Sequence, residues 1–178
     1  MSDERRYRLA VWIVIASEAL LFAGLFALYA AYRVQYPQAF AAGVRADLAW
    51  VGAGGTFLLI TSSFAIAAAV QRGGSRPALA VTFVLGATFL VLKAIEWSDH
   101  IAHGIVPGAF GGPPGSALFT TLYYGMTGLH ALHVVVGLAL VAWVFVRGKR
   151  LPLVALYWHF VDVVWVFLWP LFYLLRGG

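Results

Sequence analysis

The residues of this 178-residue sequence that could do chemistry are ionisable side chains placed inside long apolar runs. Glu18 and Asp162 each lie near the middle of such a run. A charged side chain at the centre of a bilayer costs a few kcal/mol even on the mildest scales. We therefore expect both carboxyl groups to have partners within the protein, where they could act as hydrogen-bonded structural groups or as proton carriers.

A second set of ionisable residues falls at helical spacing in the third apolar run. Lys93, Glu96, His100 and His103 are three, four and three residues apart, which places them on one stripe of a helix. Lys93 and Glu96 can pair directly at positions i and i+3. We predict a salt bridge between them near a membrane interface, and we interpret His100 and His103 as interfacial.

Three further histidines lie deeper in the fourth and fifth runs. His130 and His133 are three residues apart, and His159 stands beside a stripe that includes Trp158 and Asp162. Such imidazoles can hold helices together by hydrogen bonds or carry protons near neutral pH. A b-haem would need one axial ligand on each of two helices, for example His130 or His133 opposite His159. A di-iron site would need Glu-x-x-His pairs on two helices, and this sequence lacks them. We take structural histidines as the leading interpretation.

Small and aromatic residues mark where helices meet. Gly125, Gly128 and Gly137 in the fourth run predict close approach of a neighbouring helix. Trp158 and Trp165 lie deep in the fifth run and are expected to pack internally. Most other tryptophans fall near the ends of the runs, as in the aromatic belts of membrane proteins.

Long apolar helices are the elements that must position these residues. The sequence is 62% hydrophobic and 11% charged, without cysteine, whereas soluble domains are roughly half apolar and a quarter charged. Disorder is excluded by the same figures. We predict an all-α membrane protein, one domain over residues 1–178, with five transmembrane helices in a bundle. Each is long enough to cross about 30 Å of hydrocarbon. Their ranges are about 9–32, 48–70, 77–99, 117–146 and 153–175.

The loops predict the orientation of these helices. Eight Lys and Arg residues fall on the side of the N-terminus and three on the other, which predicts a cytoplasmic N-terminus and a periplasmic C-terminus. The net charge of +5 is therefore mostly topological, and nucleic acid is not an expected partner. The first run is long and contains Glu18, so we expect a retained helix rather than a cleaved signal peptide. The break at Tyr36-Pro37 is interpreted as a turn.

Four segments of the apolar runs carry distinctive motifs. They are Ser17-Glu18 with Phe22–Phe26, Lys93–Trp97, Thr127–Val134 and Tyr157–Trp165. These segments resemble subunit III of haem-copper terminal oxidases, the cytochrome c oxidase type. Their order and spacing match the family, whereas the second run carries no comparable signature. The resemblance indicates the short, five-helix form of the family.

The resemblance implies an accessory, non-redox subunit that binds no cofactor, with haem and copper held by partner subunits. Subunit I would be its main contact, and subunit II, a small subunit IV and phospholipids its further partners. It would support assembly, stability and proton uptake of the oxidase during aerobic respiration, as a multi-pass protein of the bacterial inner membrane. Arg147 falls where the family contacts a lipid headgroup. Residues expected to be buried polar, structural or proton-related are Glu18, Lys93, Glu96, His130, His133, Trp158, His159 and Asp162.

Other assignments stay open at this point. The chain lacks the two helices that form one wall of the lipid cleft in seven-helix members, so another subunit would have to supply that wall. Five-helix relatives also serve quinol oxidases and nitric oxide reductase systems, although the unbroken Tyr157–Asp162 segment favours the cytochrome c oxidase type. A stand-alone b-haem oxidoreductase and a proton-coupled transporter, in which repeats are usual, are alternatives from other classes.

Overall fold

The computed structural model describes residues 3–46, 49–108 and 111–174, and the regular elements in these ranges are helical. The elements are α1 Asp3–Gln35, α2 Pro37–Ala46, α3 Ala49–Gln71, α4 Arg76–Ala102, α5 Ser116–Arg147, α6 Leu151–Trp169 and a π-helical turn Pro170–Leu174. Five segments among the described residues are long and apolar enough to cross a membrane, which confirms the all-α class and the predicted number of long apolar helices. They are Arg5–Gln35, Trp50–Gln71, Arg76–Ala102, Ser116–Arg147 and Leu151–Leu174.

Helices α3 to α6 form a four-helix bundle in which α3 packs on α4, α4 on α5, α5 on α6 and α6 on α3. Aromatic side chains fill its centre, and Trp158 and Trp165 are fully buried there, as predicted. Gly86 of α4 and Gly137 of α5 flank the Trp158 ring. A Cβ added at these glycines would lie 2.6 and 2.8 Å from the indole. The two glycines therefore make room for the largest side chain of the core.

Of the three glycines singled out in α5, Gly137 alone is at a close helix contact. A Cβ at Gly128 would meet the Trp97 ring at 3.6 Å, an ordinary contact, and a Cβ at Gly125 would have no atom within 4 Å. The expectation of close approach is therefore wrong for Gly125 and Gly128. In a helix that is apolar all round, the sequence does not indicate which side faces the bundle.

Helix α1 lies on the outside of the bundle, against α5 and α6. In its described part the buried side chains are Ile15, Phe22 and Tyr29, which are seven residues apart. This spacing gives a narrow seam like that of a coiled coil. Most of the remaining surface of α1 is exposed, so the helix is held along one line.

Helix α2 is an element that the sequence interpretation missed. Pro37 does not end a helical region but begins this ten-residue helix, at a position where its missing N–H removes no helical hydrogen bond. Phe40 and Val44 are buried, and the Phe40 ring lies 5.0 Å from Tyr29 and 5.4 Å from Phe119. The helix is too short to span a membrane and packs against α1, α5 and the π-helical turn.

Basic residues lie in tight turns at the end of the bundle opposite to α2. Gly73, Gly74 and Gly148 adopt positive φ angles in the α3–α4 and α5–α6 turns, a conformation that costs glycine little. The Arg150 guanidinium lies 3.5 Å from the centre of the Tyr7 ring, which places the start of α1 at the same end. We refer to this end, with its residues Arg72, Arg76, Arg147, Lys149 and Arg150, as the basic end.

Candidate functional site

Lys93 and Glu96 form the predicted ion pair, and the pair is buried. Lys93 Nζ lies 3.1 Å from Glu96 Oε2, and the two side chains are 4% and 1% exposed. Lys93 also donates to the hydroxyls of Tyr123 and Tyr173, at 3.1 and 2.9 Å. Both hydroxyls donate to Glu96 Oε1, at 2.7 and 2.5 Å. These four residues, the ion-pair cluster, satisfy one another, as buried charges must.

Aromatic rings complete the surroundings of the Lys93 ammonium. Its nitrogen lies 5.0 Å from the centre of the Tyr123 ring, 5.4 Å from Trp165 and 5.6 Å from Tyr173. The negative faces of such rings attract a cation. The ammonium is therefore stabilised by rings as well as by Glu96, although it lies among apolar helices.

Tyr173 reaches the ion-pair cluster because the last helix changes its winding. Pro170 has no N–H for the carbonyl four residues before it, and its ring clashes with that carbonyl. The α-helix ends at Trp169 and the chain continues as a wider π-helical turn. The Tyr29 hydroxyl donates to the Leu171 carbonyl in this turn, at 2.7 Å. The sequence interpretation missed Tyr173. Its one signal in the sequence is its position three residues after Pro170, where the helix must change its winding.

Glu18 is partnered by His133, so the expectation that it needs a protein partner is confirmed. His133 Nε2 lies 3.1 Å from Glu18 Oε2, and His133 Nδ1 lies 2.7 Å from the Leu129 carbonyl oxygen. A carbonyl only accepts, so Nδ1 carries a hydrogen. The contact with Glu18 then has two forms, a carboxylic acid facing a neutral imidazole or a carboxylate facing an imidazolium.

This Glu18–His133 pair opens to the outside of the bundle. The Glu18 side chain is 29% exposed and lines a cavity of about 360 Å³ between α1 and α5. Val14, Val136 and Tyr157 line this cavity and also a larger apolar one of about 710 Å³ nearer the basic end. A continuous apolar groove thus runs from the basic end to the Glu18–His133 pair, and we refer to it as the α1–α5 groove.

His159 and Asp162 lie at the contact between α6 and α3. Neither carboxyl oxygen of Asp162 has a hydrogen-bond partner among the described residues, so the expectation of a partner is wrong for this carboxyl group. Three polar contacts cross this contact region, and each uses a hydroxyl of α3 that the sequence interpretation missed. For Ser62 and Ser63 the signal was the short polar segment Thr61-Ser62-Ser63 within an apolar run. The contacts are Trp165 Nε1 to Thr56 at 3.0 Å, Trp158 Nε1 to Ser62 at 2.9 Å, and Ser63 Oγ with His159 Nδ1 at 2.6 Å.

His130 does not share the surroundings of His133. Its ring lies 5.7 Å from the centre of Phe89 and 5.1 Å from that of Trp165, inside the bundle. Neither ring nitrogen has a hydrogen-bond partner among the described residues. The two histidines of α5 therefore face different neighbours.

The remaining predicted residues lie near the ends of the bundle. His103 is exposed and its Nδ1 lies 2.8 Å from the Asp99 carbonyl oxygen, as expected for an interfacial residue. His100, two residues before the end of α4, is buried, with its ring 5.5 Å from that of Tyr123, so its side chain packs within the bundle. Arg147 is exposed and lines a cavity of about 410 Å³ with Arg76 and Arg150 at the basic end.

The carboxyl and imidazole groups of the site are of the types that accept and donate protons. Among the described residues, no group of three or more His, Asp or Glu side chains is close enough together to hold a metal ion. His133 uses both ring nitrogens within the protein and His159 uses Nδ1, so either would have to break a hydrogen bond before ligating haem through that nitrogen. Fold and site together define a helical membrane protein with paired acid–base groups inside its bundle.

Comparisons with known proteins give the family. A profile of the family described as cytochrome c oxidase subunit III matches residues 51–176. The cytochrome c oxidase subunit 3 of Thermostichus vulcanus is 32% identical over 184 residues, covering 94% of this chain and 86% of the relative. A probable cytochrome c oxidase subunit 3 of Mycobacterium tuberculosis strain H37Rv is 33% identical over 183 residues, covering 93% and 85%. The chain belongs to the cytochrome c oxidase subunit III family.

Relatives in this family differ in the oxidase that they serve. The cytochrome bo(3) ubiquinol oxidase subunit 3 of Pseudomonas putida is 30% identical over 182 residues, covering 94% of this chain and 84% of the relative. The family therefore includes relatives named for cytochrome c oxidases and relatives named for ubiquinol oxidases, at similar identity to this chain.

Proposed function

We propose that this chain assists subunit I of a haem-copper oxidase of the cytochrome c type in assembly, stability and proton uptake. It has no catalytic centre of its own, and the haems and copper belong to the partner subunits. Subunit I is its main partner, and subunit II and a small subunit IV are further ones. The observation that supports this role most directly is the Glu18–His133 pair at the edge of the bundle.

The geometry of the pair suits proton delivery. The Leu129 carbonyl fixes the hydrogen of His133 on Nδ1, so a proton taken up by the pair resides on Glu18 or on His133 Nε2. Both forms keep a hydrogen bond between the two side chains, which spares the cost of an unpaired buried charge. Because Glu18 faces the α1–α5 groove, a polar group of subunit I placed in that groove can exchange a proton with it.

Replacing Glu18 by Gln tests this role, since Gln keeps the shape but carries no exchangeable acid proton. In the purified oxidase complex we expect Glu18→Gln to lower turnover most at high pH, where free protons are scarce. Oxygen consumption as a function of pH measures the effect. Ser17→Ala is the matched control, since the Ser17 hydroxyl donates to the Val14 carbonyl of its own helix at 2.8 Å, and should leave the pH profile unchanged.

Two results would contradict the proposal. If the tagged chain purifies in mild detergent without a haem-containing subunit I, the assignment to an oxidase complex fails. If the complex is intact and the pH profile of Glu18→Gln matches that of Ser17→Ala, the proton-uptake role fails while the assignment stands.

We also propose that the basic end is cytoplasmic, in a bacterial inner membrane, because basic loops are retained on that side. The chain contains no cysteine, so single cysteines report its orientation. In intact cells a membrane-impermeant maleimide should label His103→Cys, whereas Lys149→Cys should react only in inverted vesicles. Labelling of Lys149→Cys in intact cells would reverse the orientation.

Phospholipid is a further proposed partner, and the α1–α5 groove is the part of the chain that suits an acyl chain. The groove is apolar, and Arg150 lies at its basic end beside Tyr7. Arg147 lies in the neighbouring basic cavity. Mass spectrometry of the delipidated complex should show weaker retention of anionic lipid in Arg150→Gln than in the wild type, and equal retention would contradict the assignment.

A quinol-dependent oxidase is the second candidate, supported by the identity of 30% to the Pseudomonas putida subunit. The electron donor decides between the two candidates. The purified complex should oxidise reduced cytochrome c if the first candidate is right, and a quinol but not cytochrome c if the second is right.

A further inference from the structure

We propose that Ser63, His159 and Asp162 form a second proton-exchange site, which takes up and releases one proton at the contact between α3 and α6. Because it would serve the oxidase complex, this inference rests on the proposed function. The site is separate from the Glu18–His133 pair, which lies between α1 and α5. We refer to these three residues as the serine site.

Asp162 is the proton-storing group of the site. It is 5% exposed, and neither carboxyl oxygen has a hydrogen-bond partner among the described residues. A buried carboxylate without a cation or donor is strongly disfavoured, whereas a neutral carboxylic acid is tolerated far better. Asp162 is therefore held as an acid, with its proton available for transfer.

Ser63 connects Asp162 to a group nearer the surface. Its hydroxyl lies 2.6 Å from His159 Nδ1, and Asp162 lies three residues after His159, one turn further along the same face of α6. A hydroxyl donates one hydrogen bond and accepts another, so it can receive a proton on one side and release one on the other. The His159 side chain is partly exposed, which makes it the outer end of the site.

The titratable groups around the site leave it isolated. Helix α3 has no ionisable side chain between Ala49 and Gln71. Ionisable or phenolic groups on the other elements around α6 and on α6 itself form hydrogen bonds with other partners or stack on aromatic rings. The proton of the serine site is therefore not shared with these groups through any described hydrogen bond. Those groups are Glu18 of α1, Lys93 and Glu96 of α4, Tyr123, His130 and His133 of α5, Tyr173 of the π-helical turn, and Tyr157 of α6 itself.

Proton release proceeds in two hops, the first of which requires the Asp162 side chain to turn toward Ser63 Oγ, whereas the second uses the existing contact between Ser63 and His159. The Asp162 carboxyl gives its proton to Ser63 Oγ as the Ser63 hydroxyl gives its own proton to His159 Nδ1. The imidazole then releases the proton on Nε2 to a carboxylate or bound water that a neighbouring subunit of the complex holds against the surface between α3 and α6. Asp162 is left as a carboxylate and His159 as a neutral imidazole, and proton uptake reverses the steps. No electrons are exchanged.

Neighbouring serines distinguish proton transfer from a structural role. Ser62 lies in the same contact region but receives its hydrogen bond from Trp158 and touches neither His159 nor Asp162 through a described hydrogen bond. Ser62→Ala removes a serine of equal size from the same helix, so it is the matched control for Ser63→Ala. Ser63→Thr keeps the hydroxyl and is the conservative variant.

Infrared spectroscopy of the purified complex tests the site. Asp162→Asn should remove one carboxylic-acid C=O band at neutral pH. After transfer into D₂O, the shift of that band should be slowed about a hundredfold in Ser63→Ala, the lower range of what a positioned proton-transfer group contributes. Ser63→Thr and Ser62→Ala should exchange at the wild-type rate. If Ser63→Ala does not assemble, His159→Gln should show the same slowing, because an amide can bond Ser63 but cannot carry the proton onward.

The results that would overturn the inference are distinct from those that would overturn the proposed function. An unchanged carboxylic-acid band in Asp162→Asn, or wild-type exchange in Ser63→Ala or His159→Gln, rejects the serine site even if the chain purifies with the oxidase. A chain that purifies alone rejects the oxidase assignment, and the same infrared measurement on the full chain still tests the site.

Discussion

Replacing Glu96 by Gln is predicted to destabilise the protein strongly, because Lys93 would keep its charge and lose its anionic partner. At 3.1 Å the attraction between two unit charges is about 5 kcal/mol at an effective dielectric constant of ~20. Breaking a buried pair on one side costs about 3–5 kcal/mol. This cost raises the equilibrium constant for unfolding roughly 100- to 4,000-fold, at ~1.4 kcal/mol per tenfold.

A second substitution separates the charge effect from loss of packing. Lys93→Met combined with Glu96→Gln removes both charges and keeps most of the side-chain volume, so we expect the double variant to recover at least half of the lost stability. Unfolding by SDS in mixed micelles, followed by tryptophan fluorescence, measures both variants. Asp99→Asn is the control, since Asp99 lies one turn further along α4 with its side chain 54% exposed.

Two outcomes would refute this reasoning. A loss of less than ~1 kcal/mol in Glu96→Gln, within the range of exposed ion pairs, would mean that the cluster is not a buried ion pair. A double variant no more stable than Glu96→Gln alone would mean that lost packing or lost tyrosine hydrogen bonds, not the unpaired ammonium, cause the instability.

Two further predictions concern packing and hydrogen bonding. Gly137→Leu should destabilise by at least about 1–3 kcal/mol, the cost of overpacking, because its Cβ would meet Trp158 at 2.8 Å. Gly125→Leu, with open space around it, should change stability little, and equal thermal stability of the two variants would contradict the packing. Tyr173→Phe should cost about 1–3 kcal/mol, as expected when buried charged groups lose a partner. Tyr124→Phe, which removes a bond to a loop carbonyl, should cost less in the same unfolding assay.

The spans and the ion pair could be predicted from sequence because each rests on a local signal. Five apolar runs of about 20 residues or more allow few arrangements besides crossing a membrane. Lys93 and Glu96 are one turn apart, so their contact needs no knowledge of other helices. Helix α2 was not predicted, because ten residues beginning with Pro37 resemble a loop. Its burial also depends on a contact with Phe119, which is far away in the sequence.

The polar contacts between helices could not be read in the same way. In segments that are apolar on every side, periodicity does not mark the face that turns inward. Gly128 and Gly137 have the same local appearance in α5, yet a Cβ would lie 2.8 Å from an indole ring at Gly137 and at an ordinary contact distance of 3.6 Å from one at Gly128. Ser63 likewise resembles many hydroxyl residues of membrane helices, and its contact with His159 bridges 96 positions of the chain.

The single seam that holds α1 also affects how the first helix moves. Three buried side chains spaced seven apart anchor it, and elements with few buried contacts are the first to open in local fluctuations. His133 is part of the bundle, whereas Glu18 is part of α1. Each outward movement of α1 therefore lengthens the hydrogen bond between them and lets solvent or a neighbouring subunit reach both side chains. The rate of proton exchange between this pair and its surroundings therefore depends on how often α1 opens locally.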